Sequence, residues 1–403
     1  MEEKKKNIPK RRFKEFQNAD AWEQRELGEV VKITMGQSPN SINYTNNPDD
    51  YILVQGNADM KNGFVHPKVW TTQITKTAEV GDIILSVRAP VGDVAKTDYD
   101  VVLGRGVASI KGNQFIFQLL KKYKEDGYWK KISTGSTFES INSNIIKEAK
   151  LSLPSTNEQI YLGNFFNEID QTITLHQRKL DKYKAIKESY LQVMFPAEGQ
   201  RKPKRRFPGF TEDWEQRELG EIVESFEYGL NAASKEYDGT NKYLRITDID
   251  DENRLFKTNN LTSPDIELKA NDHYLLKNND ILLARTGASV GKSYKYDEKD
   301  GKVYFAGFLI RARINIDNNV DFIFQNTLTK AYENFVRLTS QRSGQPGINA
   351  NEYKEYKIFL PKQKEQNEIG LFFRNIDQTI TLHQKKLYKL KKLKEALLEE
   401  MFV

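Results

Sequence analysis

The residues best placed to do chemistry in this chain are arginines and lysines on glycine-bearing turns. Arg88 follows a strand-like run in GDIILSVRAPVGDVA, from Gly81, and Arg285 follows another in NDILLARTGASVGKSYKY, from Asn279; both runs continue to a Val-Gly. With Ser, Thr, Asn and Gln alongside, such groups suit phosphate contact and the reading of base edges. Ordinary solvated loops are the alternative. RTGASVGKS, from Arg285, also has the letters of a nucleotide-phosphate loop in Gly287, Gly291, Lys292 and Ser293. That motif needs four residues between its glycines and a helix after Lys-Ser; here there are three, and the chain runs into Tyr-Lys-Tyr, which favours strand.

Other chemistries find less support. Pro264-Asp265 with Glu267-Leu268-Lys269 resembles a metal-dependent nuclease only in composition, because its carboxylates are adjacent in one run instead of converging from separate strands. His66, His176, His273 and His383 lack ligand spacing, and without cysteine there is neither a thiolate metal site nor a disulfide. No glycine fingerprint for a dinucleotide or S-adenosylmethionine follows a strand. We therefore expect no catalytic residue, no metal and no cofactor in this chain, and a binding or scaffolding role.

Composition fits that expectation. Of 403 residues, 38% are hydrophobic and 29% charged, enough for more than one packed domain, and 62 basic against 56 acidic residues leave a modest +6. Positive charge is instead local, in the leader around PKRRF at Pro9–Phe13 and again around PKRRF at Pro203–Phe207. Such segments contact phosphate or act as solvated linkers. No signal-peptide core or membrane-length apolar run is present, so a cytoplasmic location is expected.

The elements that must position these groups come in two copies. WEQRELGEVV at Trp22 returns as WEQRELGEIV at Trp214, and IDQTITLHQ at Ile169 returns at Ile376, 207 residues later. Between the copies, β-prone runs such as YILVQG (Tyr51), KVWTTQI (Lys68), KYLRITDI (Lys242) and VYFAGFLIRARI (Val303) are broken by turn residues. STGSTFESINSNII, from Ser133, is answered by SQRSGQPGINANEY, from Ser340, a polar loop ending in a helix cap. Leu153-Pro154 and Leu360-Pro361 then precede the repeated segments, which are read as helices.

Apolar or semi-apolar residues alternate three and four apart at Ile169, Ile173, His176, Leu180, Tyr183, Ile186, Tyr190 and Met194. The second copy matches them at Ile376, Ile380, His383, Leu387, Leu390, Leu393, Leu397 and Met401. This is a coiled-coil seam. Either each helix packs on its own domain or the two stripes pack on each other; antiparallel pairing would bring His176 and His383 together near a pseudo-twofold axis.

In this order, and twice over, the motifs resemble those of the DNA-specificity subunit of type I restriction-modification enzymes. The likeness covers nearly the whole chain, though Val87 stands where the commoner turn has an arginine, matched by Arg285. It implies an α+β architecture in which two mainly β target-recognition domains are separated by two long antiparallel coiled-coil helices in an internal pseudo-twofold duplication. The expected segments are a basic leader (1–20), a first recognition domain (21–155), a helical spacer (156–195), a basic linker (196–212), a second recognition domain (213–361) and a second helical spacer (362–403).

The resemblance implies double-stranded DNA, two methyltransferase subunits and two restriction/translocase subunits as partners. S-adenosylmethionine, ATP and Mg would sit on those partners and this chain would be non-catalytic. Arg88, Arg285 and Lys292 are then expected to grip phosphates. Thr134, Ser136, Gln341, Arg342, Ser343 and Gln345 would lie near base edges, and Arg105, Ser289 and Arg311 complete the candidate DNA-binding set. Ile169, Ile173, His176, Leu180, Ile376, Ile380, His383 and Leu387 are the expected helix-pair and subunit interface. Competing readings are a coiled-coil adaptor that does not bind DNA and a self-contained nuclease or methyltransferase.

Overall fold

The computed structural model describes residues 7–133 and 139–403. In the first recognition region the strands that matter for the site are β1 (Lys32–Met35), β2 (Tyr51–Val54), β3 (Ile83–Ser86), β4 (Val94–Lys96), β5 (Val101–Leu103) and β6 (Val107–Lys111). They are followed by α1 (Gln114–Glu125), α2 (Ser143–Lys147) and the 39-residue α3 (Thr156–Met194). The second repeat supplies β7 (Val223–Tyr228), β8 (Lys242–Leu244), β9 (Asp280–Ala284), β10 (Ser293–Lys295), β11 (Val303–Phe305) and β12 (Leu309–Ile314). After these come α4 (Val320–Asn326), α5 (Lys330–Thr339), α6 (Ala350–Lys354) and the 39-residue α7 (Gln363–Met401).

The sheets repeat with the sequence. β1, β6, β3 and β4 are neighbours in that order, and β7, β12, β9 and β10 repeat it. β2 pairs parallel with β5, as β8 does with β11. Each WEQRE becomes a short strand antiparallel to the residues before its long helix, Glu23–Glu26 on Lys150–Leu153 and Glu215–Glu218 on Lys357–Leu360. The run VYFAGFLIRARI is not continuous, because a turn at Ala306–Leu309 splits it into β11 and β12, which join different sheets.

Two compact units result, and they do not follow the six linear segments. One comprises residues 1–177 with 386–403, the other 178–385. Each unit thus combines one recognition region with a piece of each long helix, and in both the helix pieces pair antiparallel. In the first unit Asp170 accepts a hydrogen bond from Lys394 (2.7 Å), and Phe166 meets Phe402. In the second, Asp377 meets Lys187 (2.7 Å) and Tyr190 meets Phe372. Asp170 and Asp377 are 207 positions apart, as are Lys187 and Lys394, so one contact is made twice with the repeats exchanged.

Aromatic packing repeats the exchange. Phe402 stacks on Phe115 at 5.0 Å beside Trp22 and Phe166, while Phe195 stacks on Phe322 at 5.2 Å beside Trp214 and Phe373. All eight rings are buried, which makes these clusters the anchor of each unit. Ahead of the helices, Arg12 forms a two-pronged ion pair with Glu158, and Arg206 does the same with Glu365. Both glutamates are 1% exposed in the first helical turn, where negative charge is favoured. These PKRRF arginines are therefore structural, and neither phosphate contact nor solvated linker describes them.

The seam follows the expected stripe with one correction. Leu180, Ile376, Ile380, Leu387, Leu397 and Met401 are buried, and Ile169, Ile173 and His176 are half-buried. His383 lies beside the Tyr183 ring at 5.9 Å. Leu393, by contrast, is 51% exposed, and Lys394 is buried in its stead, because the ammonium is needed by Asp170.

Candidate nucleic-acid interface

In each unit four loops meet at one end of the sheet, held by the same backbone hydrogen bonds. The turn after β3 is tied to the β5–β6 turn by Val87 N donating to Gly106 O (2.8 Å), and to the loop before α2 by Ile141 N donating to Val87 O (3.0 Å). In the second unit Arg285 N donates to Phe308 O (3.0 Å) and Ile348 N to Arg285 O (2.8 Å). Asn142 and Asn349 cap α2 and α6 with their side chains, as the repeated Ile-Asn implies.

Sequence reasoning missed the fourth loop, which follows β1 and β7. Gly36 and Gly229 approach the neighbouring turn so closely that a Cβ would lie 2.0 Å from Gly104 O or 2.1 Å from Ala306 O. Gln37 N then donates to Leu103 O, and Leu230 N to Phe305 O. The available signal was a glycine a similar distance after each Trp copy. The second is one residue later, and a register shift between Val223 and Ser225 accommodates the extra residue.

Side chains on this shared backbone differ. In the first unit Arg88 and Arg105 are exposed, and Arg105 N donates to Ser38 Oγ at 3.0 Å beside exposed Gln37. In the second, half-buried Arg285 lies over the exposed Tyr228 ring at 4.9 Å. Gln341, Arg342, Ser343 and Gln345 are exposed on the neighbouring loop. Arg342 donates to Thr339 O and Gln341 O and pairs with Glu352, so it also braces its own loop. Gln345 packs against the left-handed Gly287, where a Cβ would come within 2.9 Å of its Nε2. Thr134 and Ser136 lie outside the described residues.

Two expected contacts are corrected by burial. Arg311 is 1% exposed and donates to His273 O and Leu275 O while pairing with Glu227; desolvation pulls its guanidinium below the ordinary arginine range. Its role is inside the sheet, as is that of its neighbour Arg313, which pairs with fully buried Asp280. Lys292 is 8% exposed and pairs with Asp251, so it does not face a phosphate. A Cβ at Gly291 ahead of it would lie 2.6 Å from Val336, and Ser293 opens strand β10 where a phosphate loop would have a helix.

The second unit also holds a cavity of about 1660 Å³, lined in part by Ser289, Arg254, Lys292, Asp321 and Asp377. Eight cationic and nine anionic side chains line it, and Lys184, Lys187, Lys292, Lys295 and Arg374 are already ion-paired there. A nearly neutral, self-paired wall does not favour a polyanion. Ser289, on the turn after β9, also lines this cavity. Among the described residues no group of three or more His, Cys, Asp or Glu is arranged to hold a metal, and no helix is long and apolar enough to cross a membrane.

The profile of the type I restriction modification DNA specificity domain matches residues 19–185 and, a second time, 211–392. The chain belongs to that family. A type I restriction enzyme MjaX specificity subunit of Methanocaldococcus jannaschii is 30% identical over 181 residues, which are 43% of this chain and 42% of that protein. This match thus spans less than half of the relative. The MjaIX specificity subunit from the same organism is 22% identical over 346 residues, 80% of this chain and 76% of that one. Among solved structures, the S subunit of a type I restriction-modification system from M. genitalium superposes with a TM-score of 0.67 at 18% identity, covering 98% and 99% of the two chains. That likeness concerns the fold. As a type I specificity subunit, this chain has two target-recognition domains on a duplicated frame.

Proposed function

We propose that the chain binds double-stranded DNA at an interrupted, two-part sequence, each recognition domain reading one half and the long helices serving as spacer. The observation that carries this reading is the four-loop cluster, built twice on the same hydrogen bonds but furnished with different side chains. A shared backbone places a reading surface, and divergent side chains on it give two unlike half-sites. Arg88, Arg105 and Arg285 are cations of the turns, with Gln341, Arg342, Ser343 and Gln345 near base edges in the second unit. Arg311 and Lys292 drop out because they are buried and paired.

In this reading the chain is non-catalytic and cytoplasmic. It docks two methyltransferase subunits and two restriction/translocase subunits, and S-adenosylmethionine, ATP and Mg are bound by those partners. Expression with its methyltransferase subunit in a host lacking adenine methylation, followed by mapping of modified bases, tests the proposal. A single interrupted motif with two unlike halves is expected, and exchanging residues 224–361 for those of a relative should change one half only. Stable assembly with the methyltransferase subunit but no methylation and no salt-dependent DNA binding would favour the adaptor reading.

A further inference from the structure

The β-turn between the last two sheet strands is the same in both units yet presents different chemistry. Val107 N donates to Gly104 O (3.3 Å), and Leu309 N donates to Ala306 O (2.9 Å). Each turn is fixed from outside as well, since Gly104 N donates to Val54 O and Ala306 N to Leu244 O, and the loop carrying Val87 or Arg285 bonds its third residue. The two central residues are Arg105-Gly106 in the first unit and Gly307-Phe308 in the second. One turn lifts a guanidinium, the other a phenyl ring.

Phe308 is 63% exposed, although the residues on either side of its turn, Ala306 and Leu309, are buried. A lone exposed apolar residue ordinarily needs no explanation. Here three facts supply one. The frame does not require a ring, because glycine fills the matching position, Gly106. Its backbone is pinned, through Phe308 O accepting from Arg285 N, so the ring is held out at the tip. Tyr228, itself 43% exposed, and Arg285 meet beside it, joining an apolar tip to a cation and an aromatic surface in one reading cluster.

We infer that Phe308 recognises a thymine of the second half-site by apolar contact with its 5-methyl group in the major groove. This rests on the DNA-reading function proposed above. The 5-methyl is the only apolar group that a base pair offers in that groove, and aromatic side chains contact it. Arg105, at the neighbouring position of the equivalent turn, would favour the O6 and N7 acceptors of guanine instead. One swap on a shared turn thereby changes the base class that each half can demand.

Once the methylated motif is known, the test uses duplexes in which each thymine is replaced singly by deoxyuridine, which removes only the methyl group. Binding is measured by competition with the complex of this chain and its methyltransferase subunit. Uracil at one thymine of the second half-site should weaken wild-type binding about fourfold, equivalent to roughly 0.8 kcal/mol. The Phe308→Ala complex should bind the two duplexes equally, and Phe308→Leu should retain part of the difference. First-half substitutions should behave alike in wild type and Phe308→Ala.

Sequence-specific, salt-dependent binding without uracil sensitivity in the second half would overturn the assignment of Phe308 and leave the DNA-reading function standing. A second half-site without thymine on either strand would do the same. If Phe308→Ala weakened all duplexes equally, including those lacking the motif, the ring would be a wedge or a packing element and the inference would fall. Absence of salt-dependent binding to any duplex would remove the underlying function as well.

Discussion

The two units are assembled alike, but the polar centre of the first carries an extra charge. Asp170 meets Lys394, Lys121 and Gln118, whereas Asp377 meets Lys187 and Gln325; the position matching Lys121 in the repeat is Leu328. The aspartate and the lysine of the opposite helix hold the antiparallel pieces in register in both units, the glutamine ties α1 or α4 to the same aspartate, and the variable lysine only adds to them. A second difference concerns chain connection. Arg11 N donates to Glu400 O in the first unit as Arg205 N donates to Val193 O in the second, but only the second junction is covalently continuous. The frame therefore depends on contacts supplied by both repeats.

The largest expected effect breaks this equivalence at its apolar end. Phe402→Ala removes a ring stacked on Phe115 and should cost the first unit about 3 to 5 kcal/mol, with Phe195→Ala costing the second a similar amount. Hydrogen exchange resolved by unit checks this. Loss of protection from both units after either substitution would show that they do not unfold separately.

Proton linkage sharpens the polar difference. Burial, followed by repulsion from Lys121, pulls the Lys394 ammonium down to about 8, against about 10.4 for an ordinary lysine. Between those values the unfolded chain keeps a proton that the folded unit has released, so the stability of the first unit should rise with pH across that window. Below about 8 the cost of burying the charged group is fully present. The gain should reach at most about 3 kcal/mol and should disappear in Lys394→Met, as measured by denaturant midpoints at pH 7.5 and 9.5. An undiminished rise in Lys394→Met would refute Lys394 as the origin of the pH dependence.

At the reading surface a smaller, one-sided effect is expected. Arg105→Ala should cost about 1 to 3 kcal/mol and relax one position of the first half-site, leaving the second untouched. Binding to a set of single-base variants of the motif measures this. Relaxation in the second half would mean that the first unit does not read the half assigned to it.

Much of the frame was legible because duplication and apolar period reinforced one another. The Trp copies, the Asn caps and both long helices follow from spacing alone. What sequence could not show was which distant residues meet. Phe402 and Trp22 are almost a full chain apart, and the interchange of helix ends follows from tertiary packing. Charge was similarly ambiguous, because Arg311 and Arg105 read alike until one proves to be buried under two carbonyls and Glu227. Hydrophobicity alone puts Leu393 in the seam, yet Lys394 occupies it because Asp170 waits on the opposite helix. Local pattern registers neither a buried partner nor the reason for an exposed ring such as Phe308.

Arg285 offers the smallest effect and the closest comparison between the two clusters. Its guanidinium rests on Tyr228 and lies 3.5 Å from Gly307 O, whereas Arg88, one position later in the matching turn, is exposed. If both neutralise a phosphate, Arg285→Ala and Arg88→Ala should each weaken binding to every duplex, with or without the motif. Each should also lower the slope of log affinity against log salt by about one. The aromatic support at Arg285 adds roughly 0.5 to 1 kcal/mol of positioning that Arg88 lacks, so Tyr228→Phe should keep that support while losing the hydrogen bond that its hydroxyl accepts from Ala350 N (3.1 Å), and Tyr228→Ala should reproduce part of the Arg285→Ala loss. A change in sequence preference without loss of non-specific binding would instead place Arg285 on a base edge. The two turns would then use their neighbouring arginines for different purposes.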